Sequence, residues 1–485
     1  MTLDAGIGAN SASGGYDIEN SLKLEADNTE YLTQTPSSDG DRQKFTISLW
    51  VKRTELGSYQ TLYGAQPASG FTDNNTFQFA FTSDDKIGLG LQTYWVFQTN
   101  AVYRDTSAWY HIVIRTDTTQ PFSHNRIRLY VNGTQNTSFS TNALSNISED
   151  QLLGVNHTTR QQIGSLIANS WHSSCYISEV NLVDGQSHAP SYFGEFDDDT
   201  GIWKPKKYTG TYGTNGFYLD FSDTTSTGKD SSGNGNNFSD NNLSAADHAT
   251  DTPTNNFCTW LSDGTLFNTG TDNMTFNEGG TRMVRLGGTG WTTHYGNMAA
   301  SSGKWYFEHE SAGANNTMMG AIPVSGTTDN SSGRNNHYLG NAAVSSQNHG
   351  VGYQFVDRYV YQNNTYFLNG GSNANSGNIV QVALDLDNGK IYFGLDNSWL
   401  NQQTSSNPST GSNGLSLAGW SSEQLWMFAG SSYNPNVTQS TNFGGYTEMA
   451  ISSAESDENG YGTFEYAPPT GFLALCSKNL AEYGG

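Results

Sequence analysis

The run 379–397, IVQVALDLDNGKIYFGLDN, reads as a β-hairpin folded about Asn388-Gly389. Asn-Gly favours the two-residue turn whose twist matches that of its strands. Such a turn places Asp387 opposite Lys390, Leu386 opposite Ile391, Leu384 opposite Phe393 and Val382 opposite Leu395. Strand side chains alternate between faces, so every apolar pair falls on one side. A slip of one residue would turn that whole set into water. The chain therefore contains a one-sided antiparallel sheet, and its apolar face needs a second layer to cover it.

The same alternation recurs along the chain. FTISLWVKR sets Phe45, Ile47, Leu49 and Val51 against Thr46, Ser48 and Lys52. WYHIVIRTD aligns Tyr110, Ile112 and Ile114, and RIRLYVNG carries Ile127, Leu129 and Val131 toward a second Asn-Gly pair at Asn132-Gly133. A two-residue turn there sets Leu129 against Asn136, so a longer loop is the alternative. Glycine reaches 54 residues and charged residues only 14%, a composition suited to short strands and turns rather than long helices. The 11 Trp, 26 Tyr and 24 Phe supply the apolar burial that disordered chains lack. Trp50 and Trp109 are assigned to the core.

These readings give an all-β fold of two tandem antiparallel sandwiches with an irregular connecting region. The expected divisions are an arm over 1–19, a first sandwich over 20–195, a loop-rich connector with one strand over 196–255, and a second sandwich over 256–485. The arm is Gly- and Ser-rich and aperiodic, suited to docking as a strap against a partner. The strand near Gly216 to Phe221 either completes the first sandwich or bridges the two.

A net charge of −23, with only 22 Lys and Arg, disfavours nucleic acid and anionic membrane as partners. No apolar run is long enough to span a bilayer, and no secretory leader follows Met1. Cys175, Cys258 and Cys476 are too few and scattered for a disulfide framework or a zinc site, and are expected as buried free thiols. The acidic run 197–199 and the tract from Asp230 offer oxygen ligands without the spacing of a calcium loop. His111, His172, His294 and His309 lack metal-ligand spacing, and His309 is expected as a strand residue with a bonded ring. No metal and no cofactor are expected.

Glu308 and Glu310 stand i, i+2 on one strand, about 7 Å apart and within the separation glycoside hydrolysis uses. No second acid-rich strand stands beside them, so catalysis is not expected. The expected contact residues are instead aromatics in polar, turn-rich surroundings: Tyr94 and Trp95, Trp291 and Tyr295, Tyr359 and Tyr361. Flat rings stack on sugars or fill partner pockets at small entropic cost.

Three resemblances extend this reading. W-Y-H-I-V from Trp109, R-L-Y-V-N-G from Arg128, Ile163-Gly164 and Y-I-S-E-V from Tyr176 resemble, in order, a laminin-G-like, concanavalin A-like jelly roll. G-K-W-Y-F-E from Gly303, V-A-L-D-L-D-N-G-K-I-Y-F and T-N-F-G from Thr441 resemble a SPRY-type sandwich. The opening S-L-K-L at Ser21, the K-D-S-S-G-N-G-N-N tract at Lys229 and the P-P-T-G-F-L-A-L-C tail from Pro468 resemble marine tailed-bacteriophage virion proteins. That last resemblance implies a particle protein assembled in the bacterial cytoplasm. It would be homo-oligomeric or multicopy, held to other virion proteins by the arm, and tail-associated with a host-surface glycan or receptor as ligand. Capsid decoration or tail cement is the alternative role, and a depolymerase a third.

Overall fold

The computed structural model describes residues 15–166, 170–261, 274–287, 290–313, 315–327, 338–341, 350–369, 373–402 and 404–484. The chain is all-β and divides into two compact units, Asn10–Asn255 and Asn256–Gly485. Most of the expected arm lies outside the described residues. Its described end is tied to its own unit, with the Ile18 backbone exchanging hydrogen bonds with Thr254 Oγ1.

In the first unit two eight-stranded sheets face each other. Lys44–Arg53 lies between Trp109–Asp117 and Cys175–Asp184 in one sheet. Phe77–Phe81, Ile87–Gly90 and Trp95–Thr99 run side by side in the other. The alternation seen in the sequence sets the core: Phe45, Ile47, Leu49, Val51, Ile112 and Ile114 meet Phe77, Phe79, Phe81 and Leu89. The Asn132-Gly133 turn has two residues, both at positive φ, and Leu129 does pair with Asn136. A left-handed pair is what a tight primed turn demands.

The tract after Phe196 holds more order than the single strand expected of it. Phe217–Leu219 pairs with Cys175–Asp184, His248–Ala249 pairs with Ser21–Leu24, and Ser239–Asn241 pairs with Tyr31–Gln34. These additions are only two or three residues long, so they carry little periodic signal. Residues from the same tract also cover the reverse face of the first sheet. Trp50 and Trp109 are buried there, not between the sheets. Trp50 stacks on His111 at 4.7 Å, and Trp203 Nε1 donates to His111 Nδ1 at 2.9 Å. Nδ1 thus accepts, and Nε2 carries the proton toward Ser48 Oγ at 2.9 Å. Burial holds this imidazole neutral, its pKa pushed down to about 3.

In the second unit a ten-stranded sheet faces a six-stranded one among the described residues. Trp305, Phe307, Val382, Leu384, Ile391 and Phe393 meet Met319, Val351, Tyr353 and Phe428 between them. The hairpin at 379–397 forms, with a corrected register: Asp385 pairs with Lys390, Leu384 with Ile391, Val382 with Phe393 and Val380 with Leu395. The loop is therefore four residues long. Asp385 accepts from Asn388 N and Nδ2 at 3.0 and 2.9 Å, and buried Leu386 donates its N–H to Gly303 O at 2.9 Å. Those bonds draw Leu386 and Asp387 out of the ladder. The offset is two residues, so every side chain keeps its face.

Two buried carboxylates of the first unit generate stability predictions. Lys52 Nζ meets Asp251 Oδ2 at 2.7 Å with both side chains enclosed, and Trp109 Nε1 donates to Asp251 Oδ1 at 3.0 Å. Asp251→Ala strips Lys52 of its carboxylate and is expected to cost roughly 3–5 kcal/mol in urea unfolding. Glu179 sits at a bulge with φ 50° and accepts from Tyr218 Oη at 2.6 Å. Burial pushes its carboxyl up to about 7. A raised folded pKa favours the protonated acid, so this contribution is full below the unfolded value and is lost as pH rises through about 7. Glu179→Gln is expected to flatten the stability profile between pH 5 and 8 by an amount on the order of 3 kcal/mol. Melts across that range read it.

Candidate functional site

The outer face of the six-stranded sheet is built on glycine. Phe355, Tyr353 and Val360 point into the core, so Gly352, Tyr359 and Tyr361 point outward. A β-carbon at Gly352 would come within 2.6 Å of Leu339 Cβ, so the missing side chain is what lets residues 338–341 lie on the sheet. The Leu339 N–H donates to Ser431 Oγ at 3.1 Å, and the Asn364 N–H donates to Gly340 O at 2.8 Å. This seat raises Tyr338 beside Trp291, ring centres 5.2 Å apart, and beside Tyr361 at 5.6 Å.

A continuous band of six rings results. Tyr433 meets Trp291 at 5.7 Å, and beyond Tyr338 and Tyr361 the rings of Tyr366 and Tyr359 follow. Tyr359 and Tyr366 are 5.0 Å apart on neighbouring strands. Tyr366 is 60% exposed and Tyr433 39%, while the rings between them are half-buried. The band rests on Met318, Ile322, Leu339 and Met427. Tyr295 belongs to that floor and is buried, grouped with Met318, Met427 and Ala429. Of the four aromatics expected from this unit, the structure thus joins Trp291, Tyr359 and Tyr361 and withdraws Tyr295. Burial pushes the Tyr361 hydroxyl up to about 12, so it faces any ligand as a neutral donor and acceptor.

The first unit carries a smaller aromatic group. Gly88 and Gly90 leave a bed on the outer face of their sheet, and a β-carbon at Gly88 would stand 2.7 Å from the Trp95 ring. Tyr59, Trp95 and Trp171 share one orientation within 16°, with ring centres 4.6, 6.1 and 6.2 Å apart. Trp171 has φ 57°, a conformation bulky residues rarely adopt, and is held there by the Thr61 N–H donating to its carbonyl at 2.9 Å. Tyr94 stays apart, packed half-buried against the core.

The other polar groups singled out in the sequence are absorbed by structure. Glu308 is fully buried under the C-terminal layer and accepts from Tyr306 Oη and from the backbone N–H of Glu465 and Tyr466 at 2.8–2.9 Å. Burial raises its pKa against the pull of those donors. No sugar reaches it. Asp197 closes a turn by accepting from Thr200 N and Oγ1 at 2.9 Å. Asp230 accepts from Tyr218 N, Ser232 N and Asn236 N, which nails the Gly-Asn tract to its strand. His309 Nδ1 bonds Thr441 Oγ1 at 2.9 Å, and the three cysteines are free and buried. Among the described residues no three His, Cys, Asp or Glu side chains are grouped to hold a metal, and no helix is long and apolar enough to cross a membrane.

A family model described as the concanavalin A-like lectin/glucanases superfamily, of laminin G type, matches residues 26–173. That stretch is similar to a laminin-G-like jelly roll. No curated protein matches the chain. Among solved structures, the chain is similar to mouse laminin alpha1 domains LG4-5, at 11% identity and TM-score 0.29, covering 86% of this chain and 84% of that one. The SPRY domain of human HERC1 matches at 14% identity and TM-score 0.24, covering 35% of this chain and 91% of that one. A putative carbohydrate binding protein from Bacteroides ovatus matches at 15% identity and TM-score 0.29, with 47% and 59% covered.

If glycine at 352 seats the band, Gly352→Val will displace Leu339 and loosen Tyr338. The expected cost is about 1–3 kcal/mol of stability. Faster nitration of Tyr338, followed by peptide mass spectrometry, reports the loosening.

Proposed function

We propose that this chain is a non-catalytic surface protein of a bacteriophage particle, tail-associated, that attaches to a host-surface glycan through its aromatic band. The carrying observation is the row of rings from Tyr433 to Tyr366, partly open and mounted on a rigid sheet. Contiguous exposed aromatic surface on a polar, acidic protein marks an interaction site. Tyrosine suits it, because a sugar presents apolar C–H faces and hydroxyls together, and a tyrosine ring answers both. The laminin-G-like match over 26–173 supports binding as the working mode. The phage assignment is supported by the resemblance of the Ser21, Lys229 and Pro468 tracts. On a particle, many copies multiply a weak contact.

The full-length protein is expected to bind host cells or their surface polysaccharide. Trp291→Ala and Tyr366→Ala should each weaken that binding by roughly tenfold, as removal of an aromatic anchor does. Phe196→Ala, which removes an exposed ring of the first unit, should leave it unchanged. Equal binding by all four proteins in a sedimentation assay would defeat the proposal.

A further inference from the structure

Three ionisable side chains of the first unit meet out of water around one lysine nitrogen. Lys23 Nζ lies 2.8 Å from Asp247 Oδ1 and 3.1 Å from Glu30 Oε2, and none of the three side chains is more than 9% exposed. The strands bring them together. Leu22 and Leu24 turn into the core, so Lys23 between them turns to the reverse face of the sheet. Ser21 pairs with Ala249 and Leu22 with His248, and one step further along that register Lys23 faces Asp247. On its other side Lys23 pairs with buried Tyr176.

The two carboxyls are held differently. Asp247 Oδ2 accepts from Ser244 N at 2.8 Å and Ser244 Oγ at 3.1 Å, which turns Oδ1 to the lysine. Glu30 accepts from Glu25 N at 2.7 Å and Asn28 Nδ2 at 2.9 Å, and its oxygens stand 3.1 and 3.2 Å from Nζ. Burial pushes the Glu30 carboxyl up to about 7, where it can both give and take a proton near neutral pH. An ion pair needs one carboxylate. A second acid at the same nitrogen is what acyl transfer to an amine needs.

We infer that Lys23 and Asp247 condense to an amide, with Glu30 as the proton relay. The contact to Oδ1 brings Cγ near the roughly 3–3.5 Å separation from which a nucleophile attacks. The Nζ–Cγ bond forms and the Cγ–Oδ1 bond breaks. Two protons pass from the ammonium by way of Glu30 to Oδ1, which leaves as water, and Glu30 ends as it began. Nothing is oxidised or reduced, and the net charge is unchanged. The Ser244 donors hold Oδ2 while negative charge develops on it and then as the amide carbonyl. Exclusion of water favours the direction that releases it. Lys52 and Asp251 are as close, at 2.7 Å, but the third group there is the Trp109 indole, a donor that cannot take a proton in relay. That pair stays ionic. The amide ties Ser21–Leu24 to His248–Ala249 at the other end of the first unit, so a pull on the two ends is borne by a covalent bridge.

Intact-mass spectrometry of the full-length protein should read one water less than the sequence requires. Proteolysis should release the Lys23 and Asp247 peptides joined as one branched species. Glu30→Gln keeps the size and the acceptor but cannot relay a proton, so it should restore the full mass in a protein whose thermal melt shows it folded. Lys23→Arg, which keeps the charge and removes the nucleophile, should do the same. The branched peptide of the native protein tests the bond whether or not either variant folds. Full mass and separate peptides in the native protein would overturn the inference. Loss of water without a branched peptide, as a cyclic imide at an aspartate produces, would overturn it as well. An equal yield of branched peptide from folded Glu30→Gln would remove Glu30 from the reaction and sink the relay.

Discussion

Alternation along the strand is the constraint from which the rest follows. With one side of each strand committed to the core, everything else the protein does falls to the opposite side. Two of the outer faces described here are closed. Trp50, His111 and Trp203 seal one in the first unit, and Tyr306, Glu308 and Phe464 lie within the closed layer of the other. The two remaining outer faces are set with glycine, at Gly88 and Gly90 in one unit and at Gly352 in the other. There the missing β-carbons leave a floor on which an aromatic ring or a short segment can rest. Rings collect where the sheet is smallest.

This division explains why polar groups that look chemical in the sequence are quiet in the fold. Glu308 is spent holding two backbone N–H groups of the C-terminal segment, Asp230 two of its own loop and one of the strand beside it, and Asp251 a lysine and a tryptophan. Closed faces satisfy their charges internally.

Local pattern made the strands and their inward faces legible, because the period of two is written residue by residue. The Asn132-Gly133 hairpin followed its turn chemistry. The Asn388-Gly389 hairpin did not, since Asp385 recaptured Asn388 and lengthened the loop by two residues, a choice that depends on Gly303, just ahead of the neighbouring strand. Trp291, Tyr359 and Tyr361 were visible as aromatics in polar surroundings. Tyr338, Tyr366 and Tyr433 were not, and neither were Tyr59 and Trp171, because their membership depends on pairing between distant segments. Tyr295 looked like its neighbour Trp291, and only its packing with Met318 and Met427 put it under the surface.

Radical footprinting of the intact protein, with and without host surface polysaccharide, tests the central claim most directly. The account predicts protection concentrated on Trp291, Tyr361, Tyr366 and Tyr433, with Phe196 and Tyr483 still labelled. Unchanged labelling of those four rings, with protection falling elsewhere on the protein, would contradict it.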